Sequence, residues 1–122
     1  MNESTVSKLQ NRIERAFEIG KILAEVQGVK EGYLCGSGAG IGEVKKGDLD
    51  FCLVVQNGAL SDGVELRVLE ALAVNATEPV PVGGRGANSF HPVYFEEKEF
   101  LHPLSEDDKK LIAGAKKGIK LF

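Results

Sequence analysis

Apolar residues recur at helical spacing over residues 5–27, at Val6, Leu9, Ile13, Ala16, Phe17, Gly20 and Leu23, with Lys8, Arg12, Arg15 and Glu18 among the polar positions. One stripe of this kind predicts a helix with one buried face and one wet face. Gly28 is its stop signal. The period then changes. Tyr33-Leu34-Cys35 reads as a short strand that runs into Gly36-Ser37-Gly38-Ala39-Gly40-Ile41-Gly42. Five of the 15 glycines fall between positions 32 and 42. Glycine loses more backbone freedom on ordering than any other residue, so this stretch predicts neither a regular helix nor a regular strand throughout.

A β-branched and apolar run, Leu49 to Val55, predicts a buried strand that ends at the turn signal Asn57-Gly58. Asp62 and Glu65 stand at capping-box spacing before a helix through Leu66, Leu69, Leu72 and Ala73 to Asn75. Val80–Val82 and Val93–Phe95 read as strand pieces, and Pro79, Pro81 and Pro92 confine them to edges or irregular strands. Gly83-Gly84-Arg85-Gly86 between them reads as a loop. A last helix begins at Ser105, with Asp108 in capping position, runs through Leu111, Ile112 and Ala115, and is closed by Gly118. The order of elements predicts an α/β (α+β) fold, a mixed β-sheet flanked by helices, in a single domain over 1–122.

Composition adds bounds. A chain of 122 residues suits one domain and hides roughly two thirds of its unfolded surface. With 15 basic and 18 acidic residues the net charge is −3, which argues against broad nucleic-acid binding. No basic-then-apolar leader and no run near the ~20 apolar residues of a membrane helix is present, so the expectation is a cytoplasmic protein with no membrane contact. Cys35 and Cys52 lie in strand-like stretches and read as free thiols rather than a disulfide. His91 and His102 have no metal-ligand spacing with either cysteine, and Lys109-Lys110 reads as part of a solvated helix face.

The pattern with chemical content is Gly36-Ser37, ten residues, then Asp48-Leu49-Asp50. Aspartates two apart on a strand leave the same face, and their repulsion is relieved by a cation between them. Oxygen ligands alone suit a hard ion, Mg²⁺ or Mn²⁺, that accepts phosphate oxygens as further ligands. Gly36 lets the backbone approach a phosphate closely, and the Ser37 hydroxyl with nearby amides can hold its oxygens.

The string Leu34-Cys35-Gly36-Ser37-Gly38-Ala39, followed by Asp48-Leu49-Asp50-Phe51, resembles the signature of the DNA polymerase beta-like nucleotidyltransferase superfamily, most closely its minimal nucleotidyltransferases. The resemblance implies a nucleotidyltransferase-like fold. It also implies metal-dependent transfer of a nucleoside monophosphate from ATP or another NTP to a hydroxyl of a partner protein or small acceptor. In that reading Gly36 and Ser37 hold the β- and γ-phosphates, and Asp48 and Asp50 are both catalytic residues and metal ligands. A HEPN-type partner, as for antitoxins of this kind, or a homodimer would supply the acceptor. The chain departs from the pattern in three places. Gly40 and Gly47 stand where a basic residue and a serine are usual, and the position of the third acid falls on His91 or, by another alignment, on Glu78. The alternative is therefore a catalytically degenerate module of the same fold that binds nucleotide or protein. A third acid near Asp48 and Asp50 favours the enzyme; His91 in its place favours the module.

Overall fold

Leu49–Val55, an almost wholly apolar run, forms an inner strand of the sheet that packs on both faces. The computed structural model describes residues 3–35, 49–82 and 89–122. The elements are α1 (Glu3–Ala24), β1 (Val29–Leu34), β2 (Leu49–Val55), α2 (Val64–Asn75), β3 (Phe90–Glu96), α3 (Glu97–Leu101), α4 (Glu106–Lys117) and β4 (Ile119–Lys120). The strands form one mixed sheet in the order β3-β2-β1-β4. β1 is antiparallel to β2 and to β4, and β2 is parallel to β3 across the α2 connection. This is the mixed α/β architecture expected from the periodicities.

Because strand side chains alternate, β2 serves two layers at once. Leu49, Phe51, Leu53 and Val55 pack into the larger core, with Ala16, Ile19 and Leu23 of α1 and Val64, Val68 and Leu72 of α2. Phe51 meets Phe90 of β3 there, ring centroids 5.0 Å apart. Cys52 and Val54 face the other way, into a smaller cluster with Phe95, Phe100, Ile112 and Ala115. Tyr33 stacks on Phe100 in that second layer at 5.6 Å.

Several expectations are corrected. Gly63, not Asp62, is the N-cap of α2; it takes positive φ and no side chain caps the helix. Residues 59–63 arrive as a turn whose carbonyls receive the first amides, so a capping side chain is not required. The α2 face turned inward is Val64, Val68 and Leu72, while Leu66 and Leu69 are exposed. The helix is apolar on more than one side, so its pattern alone does not select the face. Arg12, read as a polar position, is 5% exposed. Of Val80–Val82 only Val82 pairs, in a single bridge to Phe90. β3 is longer than expected and tolerates Pro92 because, beyond the Val82 bridge at Phe90, it pairs among the described residues with β2 alone.

The end of the chain is more ordered than its sequence suggested. Ser105 caps α4 by accepting the Asp108 N–H, as expected. Gly118 is the C-cap, also as expected, in a negative-φ conformation. Its glycine identity has another cause: a Cβ there would strike the Leu34 carbonyl oxygen. That contact lets Ile119–Lys120 join the sheet beside β1. The Leu121 N–H then donates to the Gly32 carbonyl (2.8 Å), and the Phe122 ring lies where a Gly32 side chain would stand. Asn57-Gly58 is a turn, and it also docks the β3–α3 junction. The Lys98 N–H donates to Asn57 Oδ1 (3.0 Å) and the Gly58 N–H to the buried Glu96 carboxylate (2.9 Å). Among the described residues no helix is long and apolar enough to cross a membrane.

Candidate functional site

The strands on either side of the glycine–aspartate pattern, β1 and β2, pair along their backbones. Leu34 is opposite Phe51, and one residue on the Cys35 N–H donates to the Asp50 carbonyl at 2.7 Å. Cys35, the residue before Gly36, therefore lies directly beside Asp50. Gly36, Ser37 and Asp48 lie outside the described residues. Asp50 lies within them, half-buried at the start of β2, on the face opposite the larger core. Leu49 is fully buried in that core, as the alternation required.

The parallel register of β2 and β3 sets His91 against Asp50. In-register neighbours on adjacent strands share a face, so the imidazole and the carboxylate emerge side by side. Farther along that face, Val93 pairs with Cys52 and Phe95 with Val54. Glu78, the other candidate for a third acid, is elsewhere. Its carbonyl accepts from Arg15 of α1 at 2.8 Å, and its neighbour Thr77 donates to Glu18 at 2.7 Å, so this segment lies on the α1 side of the sheet. Among the described residues no group of three or more His, Cys, Asp or Glu side chains forms a metal-holding set.

Beside Asp50 a cleft of about 370 Å³ opens between the sheet and α4. Its sheet side carries Cys35, Asp50, Cys52, Val93 and Phe95; its helix side carries Lys110, Leu111 and Gly114. Both cysteines are free, Cys52 buried and Cys35 half-buried. The hydrogen bond with Cys52 holds the Cys35 thiol below its ordinary range, against the opposing effects of burial and of the Asp50 charge. The same contact, with burial, pushes Cys52 strongly up. Both thiols line the cleft, and Cys35 is the more accessible of the two.

Lys110, Leu111 and Gly114 were not legible as site residues, and Lys110 in particular reads in sequence as ordinary solvated charge. The one local signal was for Cys52, which stands two residues after Asp50 on the same strand and so must share its face. No family model, curated protein or solved structure matches this chain.

Proposed function

We propose that this chain binds a metal-chelated nucleoside triphosphate at the Asp50 end of β2, as a nucleotide-binding module of nucleotidyltransferase type. The observation that carries the reading is the Cys35 N–H to Asp50 carbonyl bond, which sets the residue before Gly36 beside the aspartate strand. Residues fifteen positions apart in the chain become neighbours, as a site for phosphates and their cation requires. In this reading Gly36 and Ser37 hold the β- and γ-phosphates, while Asp48 and Asp50 hold Mg²⁺ or Mn²⁺.

The donor chemistry fits such an ion. A carboxylate on an open cleft is a hard oxygen ligand, and an imidazole beside it is a ligand that Mn²⁺ accepts more readily than Mg²⁺. The bound ion would neutralise phosphate charge. The protein's own contribution is to align the two carboxylates and to present backbone amides to the anion.

Transfer of the nucleoside monophosphate to a hydroxyl of a partner protein or small acceptor is the stronger form of the proposal. A general base for the hydroxyl is what it needs, and the register sets His91, not a carboxylate, beside Asp50, while Glu78 lies on the far side of the sheet. That arrangement favours the binding module. A neutral imidazole can accept a proton near neutral pH, so the reading leaves His91 as the residue on which turnover would depend.

Calorimetric titration of ATP with Mg²⁺ or Mn²⁺ tests the proposal, on the native chain and on Asp50→Asn. Metal-dependent binding that weakens at least tenfold in Asp50→Asn is the expected result. Absence of binding by the native chain with either metal overturns it. Radiolabel from α-labelled ATP appearing on an added acceptor, and lost in His91→Ala, would promote the module to an enzyme.

A further inference from the structure

We propose that Cys35 and Cys52 are a reversible redox pair, closed by a hydroperoxide to an intramolecular disulfide and opened again by a thiol. They are the chain's 2 cysteines, and the fold brings them from separate stretches of sequence to one face of neighbouring strands. Cys52 lies opposite Tyr33 in the β1–β2 ladder, and Cys35 follows two residues after Tyr33, so alternation sends both thiols to the same side. Positions related in this way are diagonal neighbours, within reach of each other across the ladder. Here they meet: the two thiols are hydrogen-bonded to one another, and both belong to the smaller apolar layer with Val54 and Phe95. The pair needs no nucleotide and so goes beyond the triphosphate reading of the Asp50 site.

Exposure divides the roles. Cys52 is 1% exposed, while Cys35 is half-buried on the open cleft between the sheet and α4. That cleft, about 370 Å³, has room for several molecules the size of water, about 30 Å³ each, and so for hydrogen peroxide. Cys35 Sγ attacks one peroxide oxygen, the O–O bond breaks, and water leaves carrying the thiol proton; Cys35 is then a sulfenic acid. Cys52 Sγ attacks Cys35 Sγ, the S–O bond breaks, and hydroxide leaves with the Cys52 proton as a second water. Two thiols have lost two electrons and two protons, and the peroxide has taken up both. Because Cys52 already touches Cys35, the sulfenic acid meets a thiol before it meets a second peroxide. Closure also strains the backbone. Diagonal positions stand about 7–8 Å apart at Cα, and a disulfide spans about 4.4–6.8 Å. Cys35, one residue beyond β1, must be drawn about 1 Å towards Cys52, out of line with the Asp50 carbonyl that its N–H meets at 2.7 Å. A bridge closed against that pull is readily reduced, which is why a monothiol such as glutathione reopens it.

The test treats the native chain with hydrogen peroxide and caps the remaining thiols with N-ethylmaleimide in denaturant. Intact mass and peptide mapping without reduction then read the product. Expected is a monomer lighter by two hydrogens and uncapped, with Cys35 and Cys52 in one linked peptide, and recovery of both thiols in glutathione. Two variants fix the order of events. Cys52→Ala, apolar like the buried side chain it replaces, should stop at a Cys35 sulfenic acid that dimedone captures. In Cys35→Ala, burial should make Cys52 react with peroxide about tenfold more slowly than Cys35 does in the native chain. The native measurement needs neither variant, so it decides the matter even if one fails to fold. Cys35 oxidised to a sulfinic acid beside a capped Cys52, a dimer linked through Cys35, or survival of both thiols overturns the pair. A bridge that glutathione leaves closed overturns its reversibility.

Discussion

The two faces of this sheet are made from the same strand but do different work. On one, β2 contributes Leu49, Phe51, Leu53 and Val55, and both long-range helices α1 and α2 close over them. On the other it contributes Asp50, Cys52 and Val54, and α4 covers that face only in part, leaving the cleft at the Asp50 end. Burying a large apolar side chain is worth about 1.5–3 kcal/mol, so the first face holds most of the stability. The second carries apolar lips, a carboxylate and a half-buried thiol along the cleft. A strand whose alternate residues answer to separate demands can vary its chemistry on one side without loss of fold on the other.

The sharpest way to break this division is to cross it. Phe51→Ala removes a ring that is fully buried against Phe90 and should cost about 3–5 kcal/mol, read from chemical denaturation. Out of a total of about 5–15 kcal/mol this is a large share. Asp50→Asn, one residue away, should leave the denaturation midpoint close to native. If the two substitutions destabilised alike, the faces would not be separable.

A smaller effect sharpens the cleft side. With its thiol held below the ordinary range, Cys35 should be alkylated by iodoacetamide about tenfold faster than Cys52 in the native protein near neutral pH, since the thiolate is the nucleophile. Peptide mapping of the labelled protein checks the order. Labelling of Cys52 first, or of both at one rate, would contradict the geometry of the pair.

The smallest expected effect lies on the α1 side, where Glu18 ties α1 to the segment after α2. The Thr77 hydroxyl, and then Arg15, hold its carboxyl below the ordinary range. A depressed carboxylate contributes stability that is complete above the unfolded value of 4.5 and is lost as pH falls through the lower folded-state value. Glu18→Gln should therefore be less stable than native at pH 7 by under about 1 kcal/mol, because the Glu18 carboxylate is open to solvent screening. The difference should shrink towards pH 3. A gap that widened on acidification would reverse the sign and refute the assignment.

Much of the fold was legible because local physics and tertiary need agreed. Leu49–Val55 begins and ends where its composition changes, and Ser105 caps α4 as its spacing to Asp108 indicates. The failures have physical reasons. Asp62 has the chemistry of a cap, but the backbone turn before α2 meets the need without it. Leu66 and Leu69 fit a helical stripe as well as Val68 does, and only the placement of α2 over β2 decides which is covered. At the site, Asp50 and its strand face followed from alternation. Lys110, Leu111 and Gly114 did not, because sixty residues separate Asp50 from Lys110 and nothing local connects them.

By itself, then, the sequence determined a mixed α/β architecture, the strand that carries Asp50 and the side from which its carboxylate emerges. Each of these depends on periodicity and on interactions over a few residues. The tertiary structure alone decided that His91 is the in-register neighbour of Asp50, that Glu78 lies behind the sheet, and that α4 leaves a cleft over Cys52. Strand register and helix docking minimise exposed apolar area over the whole chain at once, and no short stretch of sequence contains that sum.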